Sequence, residues 1–493
     1  MAFDFHAFAD SLWTAARALP WHWIAGGAHL ALGTLGAAHA MLYKRDPRAA
    51  LGWVSVCLFF PLAGALLYYM FGINRIQTQA RRLSKLPLFR LKVGYEGGAA
   101  GIAPGLAAAH RDPRRAVFER VSDRVTSRPL TAGNSVEMLC NGAQAYPLML
   151  DAIHSAGTHV LLVTYLFEAD EVGEAFIEAL AGAQRRGVKV RVIVDGVGEL
   201  YSWPRMSRRL RRAGVRVARF LPPRLFPPAI YMNLRNHRKI LVVDGETGFT
   251  GGMNIGARHL VEAATGGGTA DLHFRVRGPV VSQLEAIFAD DWRFASGENL
   301  MFGRIPRVQA ENSYCRCISD GPNDDMDRIS LVMMGAISAA QRSITLITPY
   351  FLPSRELIAS LQSAALRGVD VAVILPLRSN LRFVDWATRK LLWELLQYGV
   401  KVVYQPPPFA HTKLFIVDDV YAQVGSANLD PRSLRLNFEL NLEVMGQAAL
   451  ARMVDYAGDI RCVSTPVTLQ EVEARSLPVR LRDAACWLFM PYL

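Results

Sequence analysis

One series of apolar runs and amphipathic stretches occurs twice in this 493-residue chain, in the same order. The first copy runs through THVLLVTY (Thr158–Tyr165), a helix around Val172–Arg186, GVKVRVIVD (Gly187–Asp195), a second basic helix, GVRVARF (Gly214–Phe220) and Asn236–Asn254. The second runs through RSITLITPY (Arg342–Tyr350), a helix around Arg355–Arg367, GVDVAVILP (Gly368–Pro376), a helix through Trp386 and Leu396, GVKVVY (Gly399–Tyr404) and His411–Asn428. Order is kept while loop lengths vary, the mark of a duplicated structural unit. Short β-branched runs alternating with helices predict an α/β fold. Runs this apolar need a sheet covered on both faces. The expected architecture is two similar lobes related by a pseudo-twofold axis, with their matched segments meeting at one interface.

The matched segments carry the chemistry. Each has His, one residue, Lys, four residues, Asp, six residues, Gly-Gly or Gly-Ser, one residue and Asn: His237, Lys239, Asp244, Gly251, Gly252, Asn254, and then His411, Lys413, Asp418, Gly425, Ser426, Asn428. A lone H-x-K carries no information, but two copies with identical internal spacing in corresponding positions do. In an extended strand, residues i and i+2 share a face, so each histidine lies beside its lysine. An imidazole next to an ammonium suits attack on an anionic phosphorus centre: the lysine neutralises the oxygens and keeps the imidazole uncharged. The candidate catalytic set is therefore His237, Lys239, Asp244, His411, Lys413 and Asp418. Within it the two aspartates fall at odd parity beyond the strand and read as structural buttresses. Gly252, Asn254, Ser426 and Asn428 are expected to bind the substrate phosphate, through close backbone approach and amide hydrogens. Lysines are poor companions for a divalent cation, and no P-loop or G-x-S-x-G elbow is present, so neither a metal nor another cofactor is expected.

The front of the chain differs from the rest. Ala18–Tyr43 and Ala49–Asn74 contain no charged residue, and about 20 helical residues cross a bilayer. The pair reads as a transmembrane hairpin, the first run being rich in Ala, Gly and His. Basic residues after the hairpin (Arg75, Arg81, Arg82, Lys85, Arg90, Lys92) outnumber Lys44, Arg45 and Arg48 in its turn, which favours a cytoplasmic body. The net charge of +12 fits an anionic partner, and the basic stretch is expected to lie along anionic lipid. Cysteines 57, 140, 315, 317, 462 and 486 form no disulfide framework and read as free thiols.

With these residues in view, the chain resembles the phospholipase D superfamily, and within it the membrane-anchored bacterial cardiolipin synthases. The resemblance rests on both His–Lys–Asp segments, RNHRKI (Arg235–Ile240), GVKVRVIVDGVG (Gly187–Gly198), PYFLP (Pro349–Pro353) and SANLDPRSLRLNFELNLEV (Ser426–Val444). It implies a site shared between two α/β lobes. One histidine, by analogy His237, forms a phosphohistidine, and the other protonates the departing alcohol and deprotonates the incoming one. It implies transfer of a phosphatidyl group from one phosphatidylglycerol to another with release of glycerol, in a bacterial inner membrane and without nucleic acid as partner. Some relatives use phosphatidylethanolamine as donor. The family also places an orienting acid downstream of each motif. These map onto Glu439 for the second and Asp271 for the first, where Thr269 and Ala270 replace the usual Trp-Arg and glycines 266 to 268 precede.

The expected organisation is a hairpin (1–74), a basic segment and linker (75–133), a first lobe (134–310) and a second lobe with an apolar C-terminus (311–493). Two rivals share the chemistry: a hydrolase using water as acceptor, and a nuclease or phosphodiesterase. The hairpin and the uncharged C-terminal AACWLFMPYL (Ala484–Leu493) count against the nuclease. That C-terminal segment either docks on the body or bilayer or enters the core. The prolines before each histidine (Pro222, Pro223, Pro227, Pro228; Pro406 to Pro408) either shape a lipid entrance or belong to ordinary crossovers. RRLRR (Arg208–Arg212) reads as a solvated helix face.

Overall fold

The computed structural model describes residues 21–44, 47–73, 113–126, 128–223, 234–261, 267–302, 306–311, 313–322, 325 and 327–490. The basic run 75–92, the tether 94–109, the Pro227–Pro228 part of the loop before His237, Gly266 and the last three residues lie outside them. The chain divides into two units, Met1–Arg82 and Leu83–Leu493.

In the first unit, helices span Trp21–Tyr43, Pro47–Phe59 and Pro61–Leu67, and the last continues as a wider turn over Tyr68–Gly72. No described helix is long and apolar enough to cross a membrane. The first run is one helix diluted by Ala, Gly and His. The second run is divided at Phe60, whose non-helical backbone precedes Pro61. The helices meet through small residues: a Cβ on Gly33 would lie 2.6 Å from Cys57 O and 2.7 Å from Pro61 Cβ. Ala37, Ala40, Cys57 and Tyr68 are buried, while Leu30, Leu35, Leu42 and Phe59 are exposed.

The second unit carries the duplication. Its first half contains β1 (Thr131–Cys140), β2 (His159–Thr164), β3 (Lys189–Asp195), β4 (Arg216–Phe220), β5 (Ile240–Val243), β6 (Thr247–Gly251), β7 (Thr269–Ala270) and β8 (Leu272–Arg277). Its second half contains β9 (Ser313–Asp320), β10 (Ser343–Ile347), β11 (Asp370–Pro376), β12 (Lys401–Gln405), β13 (Phe409–Ala410), β14 (Leu414–Val417), β15 (Tyr421–Gly425), β16 (Glu439–Met445) and β17 (Thr465–Val467). Fifteen of these strands form one sheet, in the order β17-β12-β11-β10-β14-β15-β16-β9-β1-β8-β6-β5-β2-β3-β4. The two lobes therefore share a continuous sheet that joins at β1 and β9, and the strand order on one side of the join mirrors that on the other.

Within each half the crossover strands (β2, β3, β4 and β10, β11, β12) are parallel, and the hairpin that follows each histidine (β5–β6, β14–β15) is antiparallel. Parallel neighbours need helical crossovers. Those helices span Glu171–Arg185 in the first half and Arg355–Leu366 in the second, capped by Asp170 and Ser354 through Gly173 N and Leu357 N. The helices bury Phe176 and Leu180 against Val192 in the first half, and Leu361 and Ala364 against Val373 in the second. Each of the larger groups, Phe, Leu or Val, contributes about 1.5–3 kcal/mol when fully buried. This packing fixes the strand ends, and through them the segments that carry the histidines.

Candidate active site

His237–Lys239 and His411–Lys413 are extended but stand just before β5 and β14, not inside them. Their backbone bonds go to the opposite half. His237 N donates to Phe438 O at 2.9 Å, and His411 N donates to Ala270 O at 2.7 Å. Short parallel bridges, Asn236 with Phe438 and β13 with β7, hold the same two places. The strand before each histidine is thereby stitched to the segment before the other half's acid.

The acids complete the exchange. Glu439 Oε2 lies 3.0 Å from Nδ1 of His237, and Asp271 Oδ2 lies 2.8 Å from Nδ1 of His411. The carboxylate downstream of one motif thus orients the histidine of the other motif, a crossing that the order of residues along the chain does not reveal. An ionised carboxylate only accepts, so each pairing favours the tautomer with the proton on Nδ1 and the lone pair on Nε2. Thr269 and Ala270, where relatives have Trp-Arg, do not displace Asp271. Its carboxylate occupies the space a side chain on Gly252 would need, since a Cβ there would lie 2.3 Å from Asp271 Oδ1.

All four members of the His–Lys pairs are buried or nearly so. Lys239 Nζ donates to His237 O at 2.6 Å, and Lys413 Nζ donates to His411 O and lies 2.8 Å from His411 Nδ1. Burial lowers Lys239 to about 7 and Lys413 to about 8. It also lowers both histidines, His237 against the pull of Glu439, and His411 further because Lys413, Lys239 and His237 add to the effect. Burial pushes Glu439 up, but His237, Lys239 and Ser426 outweigh it and hold the carboxyl below its ordinary range. Asp271 stays above its ordinary range, burial exceeding the pull of Lys413 and His259. The site therefore places two neutral imidazoles and two easily recharged lysines around one centre, a setting for an anion.

Five predicted site residues sit elsewhere or bond to other partners. Asp244 Oδ1 accepts from Thr158 N, Thr158 Oγ1 and His159 N, and its Oδ2 accepts from Gly157 N, all within 2.7–2.9 Å. Asp418 accepts from Gln341 N, Arg342 N and Ser343 N. Each is at the far end of its strand, about 20 Å of extended chain from its histidine, so they belong with the buttresses and not with the reacting groups. Ser426 Oγ donates to Glu439 Oε2 and Ser426 O lies 3.2 Å from His237 Nδ1, so this serine holds the His237–Glu439 pair. Asn428 Nδ2 donates to Ser433 Oγ at 3.1 Å, and Asn254 Oδ1 accepts from Leu166 N at 3.1 Å.

Other groups at the site were not singled out by the sequence. The Tyr165 ring stands 5.2 Å from the His237 ring, edge to face, and Tyr350 stands 6.2 Å from His411. Both tyrosines end the first apolar run of their repeat, which is the signal that could have marked them. Asp195, ending β3, accepts from Asn236 N at 2.8 Å, and burial raises it to about 6. Arg238 pairs with Asp291 at 2.6 Å and donates to the carbonyls of Glu439 and Asp320, tying the halves together behind His237. His259 and His273 lie near Asp271 and are lowered by burial to about 4 and about 3.

The family described as "Cardiolipin synthase, PLD-like domain" matches residues 149–292 and 333–458, one stretch in each half. Cardiolipin synthase of Geobacillus kaustophilus is 32% identical over 92% of this chain and 90% of its own. The chain belongs to the phospholipase D-like cardiolipin synthase family. Within that family, cardiolipin synthase A of Pseudomonas aeruginosa is 34% identical over 83% of both chains. The major cardiolipin synthase of Bacillus subtilis is 32% identical over 91% of this chain and 95% of its own. Residues 34–72 match the family described as phospholipase D-nuclease N-terminal. Among solved structures, phosphatidylserine synthase of Haemophilus influenzae superposes with a TM-score of 0.56 at 15% identity, over 76% of this chain and all of that one. At that identity the likeness concerns the fold.

Proposed function

We propose that this chain is a cardiolipin synthase that moves a phosphatidyl group from one phosphatidylglycerol to a second through a covalent phosphohistidine. The observation that carries the chemistry is the pair of imidazoles from opposite halves, each held by the other half's carboxylate beside a lysine. The substrate follows from relatives named cardiolipin synthase that share about a third of their residues across nearly the whole chain.

In the first step, His237 Nε2 attacks phosphorus, the bond to the glycerol oxygen breaks and His411 gives that oxygen a proton. Negative charge brought by the phosphodiester raises the otherwise low His411 pKa, so the imidazole can take up and hand over this proton. Glu439, kept ionised, stabilises the charge that appears on His237 as its nitrogen binds phosphorus. Lys239 and Lys413 neutralise the non-bridging oxygens. In the second step, His411 Nε2 takes the proton from a hydroxyl of the second phosphatidylglycerol. Its oxygen attacks phosphorus and the P–N bond breaks. A phosphodiester replaces a phosphodiester, so the reaction is reversible. Asn254 and Gly252 border the phosphate, while Ser426, Asn428, Asp244 and Asp418 support the framework.

The segments over Trp21–Tyr43 and Pro47–Gly72 form a bilayer-embedded hairpin. Gly33, Ala37, Ala40, Cys57 and Gly64 face inward around Tyr68, while Leu30, Leu35, Leu42, Leu58, Phe59 and Leu66 face outward, the arrangement of helices packed in lipid. The excess of basic residues after the hairpin supports a body on the cytoplasmic side of a bacterial inner membrane.

The test is purified full-length enzyme in mixed micelles with headgroup-labelled phosphatidylglycerol and all products resolved by mass. Cardiolipin and glycerol in equal amounts, with retention at a chirally labelled phosphorus, are expected. Phosphatidic acid as almost the sole product would move the chain to the hydrolases, and inversion would remove the covalent intermediate.

A further inference from the structure

We infer that the rim around the two histidines is a docking surface for an anionic lipid bilayer, built from two loops that the duplication relates and from the C-terminal helix. This rests on the proposed function, in which the substrate lies in a membrane.

The first loop follows β3. Gly198 packs so close to the Tyr165 carbonyl that a Cβ would lie 2.0 Å from it, and the Tyr165 ring contacts His237. Immediately beyond, Leu200, Tyr201 and Trp203 point outward, Trp203 being 81% exposed. The second loop follows β11, the counterpart of β3. Asn380 accepts from the Tyr350 hydroxyl at 2.7 Å, and the Tyr350 ring stands next to His411. Around it Leu377, Leu381 and Phe383 are exposed, Phe383 at 62%. Each histidine is therefore linked through one tyrosine to one exposed apolar loop, and the two loops flank the site.

The Leu477–Leu488 helix extends the second loop. It packs on the Arg382–Leu396 helix, with Arg482 stacked 4.3 Å over Trp386 and Cys486 buried with Val384 and Leu352. The described part of the C-terminal apolar segment, up to Met490, thus docks on the body by one face. On the other face Leu477, Leu481, Ala485 and Leu488 fall one above another at helical spacing and are exposed, and Phe489 follows. A solvent-facing apolar stripe along a whole helix is the pattern of an interfacial helix.

Charge selects the occupant. The acids of these three elements are neutralised: Glu199 by Arg219, Asp385 by Arg389, Asp483 by Arg475 and Arg482. The exposed charges among them are arginines: Arg378, Arg382 and Arg480. A second copy docked on this face about a twofold axis would bring like charges together. A bilayer of anionic lipid instead accepts Trp and Tyr at headgroup depth, aliphatic groups below and arginines along the phosphates.

The experiment uses full-length protein with Cys462 replaced by Ser and single bimane labels at Trp203→Cys, Phe383→Cys and Leu488→Cys. The control is Met301→Cys, 95% exposed and next to Phe302, which stacks on His159 at the opposite end of β2. Protein is reconstituted in phosphatidylcholine vesicles with and without phosphatidylglycerol, carrying a chain-bound quencher. Quenching at the three rim positions, strengthened by phosphatidylglycerol and absent at 301, is expected. The triple variant Trp203→Ser/Phe383→Ser/Leu488→Ser should lose about tenfold or more in rate on vesicles. Its rate on short-chain phosphatidylglycerol below micelle concentration should stay within about twofold, because no reacting group is touched. Unquenched rim labels with an unchanged triple variant would overturn the inference, as would shielding that appears in detergent and grows with protein concentration. Should wild-type enzyme make no cardiolipin from either substrate, the functional reading fails, while the quenching still decides the surface.

Discussion

Glu439 and His237 are 202 residues apart and belong to different copies of the duplication, yet their side chains meet at 3.0 Å. Asp271 and His411 make the reciprocal pair at 2.8 Å. Neither half therefore pairs its motif histidine with its own downstream acid. The reason lies in the backbone: His237 N and His411 N bond to carbonyls immediately before Glu439 and Asp271, so the same stitch that aligns the halves delivers each acid to the opposite imidazole. A half-chain would lack the carboxylate that its motif histidine pairs with.

Glu439→Gln and Asp271→Asn keep the shape of each pair and remove its charge. Each is expected to lower kcat by about 10²-fold with KM little changed, since orientation and charge act on the transition state. Rapid-quench detection of the phosphohistidine should separate them. Glu439→Gln slows its formation, whereas Asp271→Asn impairs proton transfer at His411. Equal, small effects on both steps would contradict the crossed roles.

His237→Ala and His411→Ala should each reduce turnover by about 10³-fold or more while the circular dichroism spectrum stays that of wild type. Lys239→Ala and Lys413→Ala should be nearly as damaging. Near-normal turnover in either histidine variant would show that the halves do not form one site.

Asp244→Asn and Asp418→Asn act on folding. Each carboxylate accepts from three backbone N–H groups across the sheet edge, and Asp244 is held below its ordinary range by those bonds despite burial. A loss of about 1–3 kcal/mol in denaturant unfolding is expected, with kcat per folded molecule unchanged. For Asp244 the sign follows from linkage: its lowered folded-state pKa contributes stability above the unfolded value, lost as pH falls through the folded one. The wild-type protein should accordingly show a larger stability loss on acidification than Asp244→Asn.

The pH profile should be asymmetric. Burial holds both histidines below their ordinary 6.5, so the neutral nucleophile survives as pH falls past that value and the acid limb of kcat/KM lies below it. On the alkaline side the free enzyme loses first the His411 proton that the first step needs, below 6.5, and then those of Lys239 and Lys413 near 7 and 8, so kcat/KM should decline across this range. A bound phosphodiester keeps both lysines charged, so kcat should persist to higher pH. Parallel alkaline limbs in kcat and kcat/KM would count against the lysines as the phosphate's partners.

Alkaline carbonate extraction should leave the full-length protein in the membrane pellet, as the outward-facing large apolar residues of the first unit require. Release of nearly all of it to the supernatant would refute a bilayer-embedded hairpin.

The duplication, the alternation of strands and helices and the His–Lys segments were legible in the sequence because each is local. A strand shows as an apolar run, a helix as a period, and a motif as a spacing. The helix expected around Val172–Arg186 spans Glu171–Arg185, and the one around Arg355–Arg367 spans Arg355–Leu366. Strand parity likewise set Asp244 and Asp418 apart from the histidines. The tertiary structure decided what depends on partners distant in the chain. It gave Glu439 to His237 and Asp271 to His411, turned Ser426 toward a carboxylate, and ran both halves into one sheet through β1 and β9. It also set Tyr165 and Tyr350 beside the histidines. Hydrophobic periodicity specifies which face of an element is buried, but a buried polar group is satisfied by whichever partner the packed halves bring within hydrogen-bonding distance. In this protein that partner comes from the other copy.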